Sequence, residues 1–432
     1  MIYAKSRKAG KASRMRSLLF GATYPDQGTG YGRVAHHLSN FLLAGNWDVT
    51  YFGTGNHAYS RCDDRPIDPR LHMIDVMVRD TDNFGVNVLV DTLRETKPSV
   101  VLLYNDVIVI CRWLNEIITA FPRSERPFRL FIYLDLVYPF EKVQYVRHVL
   151  QHADHVFFFT RGWERHVMDQ WIYRENLDTL PTTSVLPHGV DDRLLARKSL
   201  SREAARALLK LPTEGFFFLN MNRNSYRKAL DLTTRAFLLL LQSQDFAANL
   251  RLVFKCISDT SKIGGYDLPA MIRTECAWLG LTQQQTERVV TQHVFNVPSH
   301  ALTEEHIHAL YCACEVGVNT CIGEGFGLTS LEHACLGFPQ VVVDVGALKE
   351  IFADAPVLPV RPAVALQIPT TLDDHVGVAE YADARSVMWR MREVWRRYAQ
   401  HYEPACRAHA ERLRERHGWP AVQDALLREL ET

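Results

Sequence analysis

Short apolar runs alternate with amphipathic stretches along most of this chain, the rhythm of a parallel α/β sheet. Residues 17–22 form the first run, and a helix follows in which Val34, Leu38, Phe41 and Leu42 recur at i, i+4, i+7 and i+8. Strands are then expected over 49–52, 73–77, 99–104, 129–134, 155–159 and 183–186, with helices over 85–96, 107–120 and 161–171. These strands are rich in β-branched and aromatic residues and have no polar face, which implies a sheet covered by helices on both sides. The rhythm breaks at Leu186-Pro187-His188-Gly189-Val190-Asp191. It resumes with Ser201 as an N-cap, the buried run 216–219, a helix carrying Leu230, Phe237 and Leu241, a strand over 252–256 and a helix over 267–280. An extended segment over 289–297, a helix over 303–314 and strands over 315–319 and 340–344 complete the pattern, and from 383 onward the chain reads as helical. A chain of 432 residues suits two units of roughly 200 residues each.

The candidate chemistry collects where strands end. Gly323-Glu324-Gly325-Phe326-Gly327 joins strand 315–319 to a helical pattern in which Leu328, Leu331 and Cys335 can face a core. Open α/β sheets bind ligands at the carboxyl ends of strands. Gly325 and Gly327 let backbone N–H groups approach an anion at a helix N-terminus, whereas Glu324 and Glu332 are acceptors suited to sugar or ribose hydroxyls. Phosphate donors beside hydroxyl acceptors suggest a nucleotide sugar. Strand 216–219 delivers Asn220-Met221-Asn222-Arg223-Asn224-Ser225-Tyr226-Arg227-Lys228 to a sheet edge. Arg223, a planar fork, and Lys228, a point charge, suit a diphosphate, with Arg227 competing for the Lys228 role. Another glycine loop, carrying Gly28, Gly30 and Gly32, follows the first strand. Its spacing differs from the dinucleotide fingerprint, and the second strand ends in Gly53 with no acid for a ribose. Asp135 directly follows strand 129–134, where it serves either the cleft or a backbone turn.

Glu324 and Glu332, with Glu-Gly-Phe-Gly-Leu at the first and Gly337-Phe338-Pro339 and a valine-rich strand after the second, resemble the donor-site signature of glycosyltransferase family 4. The resemblance is close over 216–352, weaker over 17–191 and absent in the first 16 residues. It implies the GT-B fold: two Rossmann-like parallel-sheet domains facing a central cleft, with a C-terminal helix crossing back. The expected divisions are a basic tail 1–16, an acceptor domain 17–190, a donor domain 191–382 and C-terminal helices 383–432, with Trp389, Trp395 and Tyr398 as anchors for the crossing. The resemblance further implies a retaining, metal-independent transfer from a nucleoside-diphosphate sugar of uridine or guanosine type, in which the donor phosphate accepts the acceptor's proton. Arg223 and Lys228 would stabilise the departing diphosphate, Glu324 would hold the sugar and Glu332 the ribose. Donor contacts would also come from Gly30, Gly32, Gly325, Phe326, Gly327, Leu328 and Thr329, with Val297, Pro298 and Ser299 bordering the nucleobase and Glu350 a packing and capping position.

Composition narrows the setting. Lys plus Arg and Asp plus Glu both number 49, so no global field draws the chain to nucleic acid. Lys5, Arg7, Lys8, Lys11, Arg14 and Arg16 stand near the N-terminus without an acid among them, and residues 385–416 hold nine arginines against four glutamates. Each excess reads as a solvated tail or helix face, with a peripheral contact to anionic lipid as the sharper reading. The nine cysteines sit mostly in apolar runs, as small hydrophobes in a reducing compartment, and no apolar run approaches the 18 residues of a membrane span. A cytoplasmic protein is expected, with no cofactor besides its donor. The acceptor stays open between glycan, lipid, protein, small molecule and modified DNA. Two other functions fit the same residues: a nucleotide-sugar 2-epimerase of related fold, and a non-catalytic nucleotide-binding subunit of a transferase complex.

Overall fold

The computed structural model describes residues 16–261, 264–298, 302–373 and 375–431; Ser299 and the basic tail before Arg16 lie outside them. The first sheet contains β1 (Arg16–Thr23), β2 (Trp47–Thr54), β3 (His72–Asp75), β4 (Val100–Asn105), β5 (Arg129–Leu134), β6 (His155–Phe158) and β7 (Thr182–Val185). Its order is β3-β2-β1-β4-β5-β6-β7, parallel throughout. The second contains β8 (Phe216–Asn220), β9 (Leu250–Lys255), β10 (Val294–Val297), β11 (Val316–Asn319) and β12 (Gln340–Val342), in the parallel order β10-β9-β8-β11-β12. Each sheet runs outward from its first strand and then resumes on that strand's other side. The switch points therefore lie between β1 and β4 and between β8 and β11, and their carboxyl ends open a crevice.

Sequence explains these elements locally. β4, Val-Val-Leu-Leu-Tyr-Asn, is buried at every position, as a strand covered on both faces must be. Helix Gly30–Ala44 starts where the Thr29 hydroxyl accepts from Gly32 N at 3.0 Å, and helix Val107–Ala120 where the Asp106 carboxylate accepts from Ile108 N at 2.9 Å. Ser201 accepts from Ala204 N at 3.2 Å, the cap its position predicts.

Several elements differ from the pattern. Segment 73–77 is strand only to Asp75, whose carboxylate caps a helical turn, Val76–Arg79, through Met77 N at 3.0 Å. The β-branched stretch 289–297 is not extended throughout: Val289–His293 forms a wide helical turn continuing helix Gln283–Arg288, and only β10 is strand. Helix Val143–His152 begins without a capping side chain, after Lys142 in a left-handed conformation (φ 38°), so no sequence signal announces it. A ribbon of β13 (Val364–Ile368) and antiparallel β14 (Gly377–Tyr381) spans the two halves: Val378 N donates to Pro139 O at 2.8 Å and Glu380 N to Ile322 O at 3.0 Å.

The last helix, Trp419–Glu431, crosses back to the first half, but two of the anchors expected for it, Trp389 and Tyr398, do not hold it. Trp389 is exposed, and Tyr398 packs its ring 5.2 Å from Phe216 of the second sheet. Buried Trp419 makes the crossing: it stacks on His37 at 4.2 Å, and Val190 N donates to His417 O at 2.8 Å beside it.

Candidate functional site

The loop between β8 and its following helix carries a one-turn helix, Tyr226–Lys228, and then Ala229 in a left-handed conformation (φ 44°). That geometry turns Lys228 inward, where its ammonium pairs with the Glu324 carboxylate. Arg227 reaches the same place, donating to Gly323 O at 2.9 Å and standing 3.6 Å from Glu324 Oε1. Glu324 is buried, and burial alone would raise its pKa, but Lys228 and Arg227 outweigh it and hold the carboxyl down at about 2. Glu324 is therefore charged across the neutral range. Arg227 remains protonated despite its burial because Glu324 faces it. Underneath, Asn319 donates to Ser330 Oγ at 3.2 Å and to Glu324 Oε2 at 3.4 Å, and Asn222 donates to Asn319 Oδ1 at 3.2 Å. These buried amides fix the ends of β8 and β11 against each other.

Gly327 ends the glycine loop at φ 88° and starts helix Leu328–Cys335, a conformation that disfavours any side chain. The first two N–H groups of that helix, on Leu328 and Thr329, have no intrahelical acceptor, whereas Ser330 N already donates to Gly327 O at 3.1 Å. Gly325 has a different reason: a Cβ there would meet Asp135 Oδ1 at 2.5 Å, so the missing side chain admits a carboxylate from the other half. Gly325 O accepts from Trp163 Nε1 at 3.1 Å, and Phe326 is buried against His188 at 4.7 Å.

Asp135 sits in the crevice. Tyr31 O–H donates to its Oδ2 at 2.5 Å, while Oδ1 is buried without a hydrogen-bond partner. Burial pushes its pKa up to about 6, against the pull of the Tyr31 hydrogen bond. Gly30, at the start of its helix, faces Leu328, whereas Gly32 is tightly packed on Gln27 of its own loop.

Glu332 is buried deeper, with both oxygens engaged. Tyr311 O–H donates to Oε2 at 2.7 Å, and Oε1 is ion-paired with Arg33 of the first half. Arg33 also lies 3.3 Å from Glu304, which Arg65 approaches at 3.6 Å. Lys255, at the end of β9, is held below the ordinary ammonium pKa by burial and by the Arg33 charge. Val297 ends β10 in register with Lys255. Glu350 caps across the halves, accepting from Gly162 N at 2.8 Å and Arg161 N at 3.3 Å.

The structure thus gathers Lys228, Glu324 and the glycine loop, with Glu332 on the following helix, but leaves Arg223 exposed with no ion pair among the described residues. Arg33, Tyr311, Asn319 and Lys255 were missed. Arg33 had a signal: a cation in the first turn of a helix opposes the dipole unless an acid partners it, and that turn holds none. Among the described residues no three His, Cys, Asp or Glu side chains gather as a metal-ligand set.

No protein-family model matches the chain, and comparison with curated sequences finds no match. Solved structures do match over nearly its whole length. Sucrose-phosphate synthase from Thermosynechococcus elongatus is 17% identical with a TM-score of 0.67, covering 96% of this chain and 99% of its own. A glycosyltransferase from Rickettsia africae ESF-5 is 11% identical with a TM-score of 0.68, covering 96% and 98%. Anabaena HepE in complex with UDP-glucose is 13% identical with a TM-score of 0.64, covering 97% and 100%. At such identities the likeness establishes the fold: this chain has the GT-B arrangement of two parallel sheets about a crevice.

Proposed function

We propose that this protein is a retaining glycosyltransferase of family 4 type that moves a sugar from a nucleoside diphosphate to an acceptor bound on the first half. The reading takes residues 17–190 as the acceptor domain and 191–382 as the donor domain. The observation that carries it is the meeting of Lys228 and Arg227 with Glu324 on a glycine loop that opens into a helix N-terminus, at the switch point of the second sheet. Cations, amide donors and one charged acceptor there suit a diphosphate joined to a sugar. The fold adds support, since a structural neighbour was solved with UDP-glucose and another, a trehalose-6-phosphate protein from E. coli, with UDP-2-fluoro glucose.

In this reading negative charge grows on the diphosphate as the glycosidic bond breaks, and Lys228, Arg223 and the amides from Gly325 to Thr329 meet it in place of a divalent ion. Arg227 holds Glu324 in position, and Glu324 takes the sugar hydroxyls. Glu332 takes the ribose, with Val297 beside the base. The donor phosphate receives the acceptor's proton. Asp135, whose Oδ1 lies against Gly325 without a hydrogen-bond partner, would face the sugar.

The test is donor hydrolysis without acceptor. UDP-sugars and GDP-sugars are incubated with the protein in chelator, and the anomer first released is read by proton NMR. Release of the sugar with its original configuration is expected. Inverted product, or no turnover until manganese or magnesium is added, would remove the proposed mechanism. Recovery of an epimerised sugar would assign the site to the epimerase reading.

A further inference from the structure

Away from the crevice, one face of the second half joins exposed apolar side chains to arginines without acidic partners. Helix Ala384–Arg396 places Arg385, Trp389, Arg392 and Arg396 at i, i+4, i+7 and i+11, along one stripe. Trp389 is 58% exposed, and the Arg392 guanidinium lies 5.0 Å from its ring centroid. The segment leading into β13 and β13 itself expose Leu358 (56%), Val364 (48%) and Leu366 (56%). A groove of about 790 Å³ lined by Leu358, Arg361 and Trp389 connects this segment to the helix. Val364 follows Arg361 by three residues, within about 10 Å by chain length.

Of the neighbouring acids, Asp344 also lines the groove and forms no ion pair among the described residues, while the others are engaged. Glu393 pairs with Arg390 at 2.7 Å, Glu380 with Lys349 at 2.9 Å, and Asp383 caps its helix by accepting from Ser386 N at 2.9 Å. Arg361, Arg385, Arg392 and Arg396 form no ion pair among the described residues. A helix face that only needs solvation has no use for an exposed tryptophan and adjoining aliphatic side chains. Arginines alone would suit any polyanion, but with apolar groups between them they match a lipid interface, where the apolar groups enter the headgroup layer and guanidiniums meet phosphates. No helix among the described residues is long and apolar enough to cross a membrane, so the contact is made from one side.

We propose that this face, the Arg385–Trp389–Arg392–Arg396 stripe with Leu358, Leu366 and the groove between them, docks on anionic lipid headgroups. The test is flotation of the full-length protein with vesicles of phosphatidylcholine alone or with phosphatidylglycerol. Binding to the phosphatidylglycerol vesicles should fall with added salt and be at least about tenfold weaker on phosphatidylcholine. Reversing the stripe, Arg385→Glu with Arg392→Glu and Arg396→Glu, should abolish it, and Trp389→Ser should weaken it, with melting temperature and donor hydrolysis unchanged. Absent or equal binding to the two vesicle types would overturn the proposal. So would undiminished binding by the reversed protein, which would move the contact to the basic N-terminal tail. A dimer broken by Leu366→Asp would overturn it in favour of a second copy pairing along β13.

Discussion

Arg33 and Glu332, 299 positions apart in the chain, form an ion pair that joins the two halves across the crevice. The carboxylate proposed to hold the donor's ribose thus already holds a guanidinium of the same chain. A ribose gaining Glu332 has to share or displace that contact, and the donor's apparent affinity is reduced by whatever the displacement costs. Arg33→Ala should therefore tighten nucleoside-diphosphate binding, by about tenfold if one contact worth ~1.4 kcal/mol no longer has to be broken. Isothermal titration measures this directly. Weaker binding in the variant would make Arg33 a donor ligand instead of a competitor.

The two glutamates and the cations should separate in kinetics. Lys228 and Arg223 would act on charge that develops during reaction, so Ala at either should lower kcat by about 10² or more. Glu324→Gln should also cost turnover, because it removes a charge that Lys228 and Arg227 hold in place. Glu332→Ala should mainly raise KM, since ribose hydroxyls do not change in the chemical step. Steady-state rates for the four variants decide it. Wild-type turnover in both Arg223→Ala and Glu324→Gln would make the loop structural.

How legible was this in the sequence? The β-α alternation, the break near His188 and the loop around Glu324 were readable because each has a local signature: buried strand runs, Pro and Gly, and glycines beside a carboxylate. Arg33, Tyr311 and Asn319 were not, since what matters about them is a partner brought close by folding. Arg227 looked like a substitute for Lys228, yet both reach Glu324, Lys228 at Oε2 and Arg227 at Oε1. The β13–β14 ribbon was missed because its outer strand is exposed at four of five positions, so it lacks the alternation that marks a half-buried strand.

That ribbon brings a titrating contact. His375, just before β14, lies 2.9 Å from Glu141 and 3.8 Å from Asp106 of the first half, with Arg227 opposing its charge and Lys142 paired to Asp106. Burial pulls the imidazole pKa down, but Glu141 outweighs it and the net shift is upward. A raised folded-state pKa contributes stability in full below the unfolded value, and this is lost as pH rises through the folded one. His375→Gln should consequently lower the melting temperature more near about pH 6 than near about pH 9. Equal losses at both would show that the contact is not titrating.

Trp419 ties the C-terminal helix to the first half. Replacing a buried tryptophan with alanine costs about 3–5 kcal/mol, and here it also removes the ring stacked on His37. Trp419→Ala should lose stability on that scale in urea titration. Trp389→Ala, at an exposed ring, should lose little by comparison.

If the loop around Glu324 and the helix carrying Glu332 form a nucleotide site, a nucleoside diphosphate must stabilise the folded protein. Melting temperature should be measured with uridine, guanosine and adenosine diphosphates in chelator, for the wild type and Glu332→Ala. One of them should stabilise the wild type by about 2.7 kcal/mol at a hundredfold excess over its Kd, and the variant should lose most of this gain. A flat response to all three, or equal stabilisation of both proteins, would contradict it.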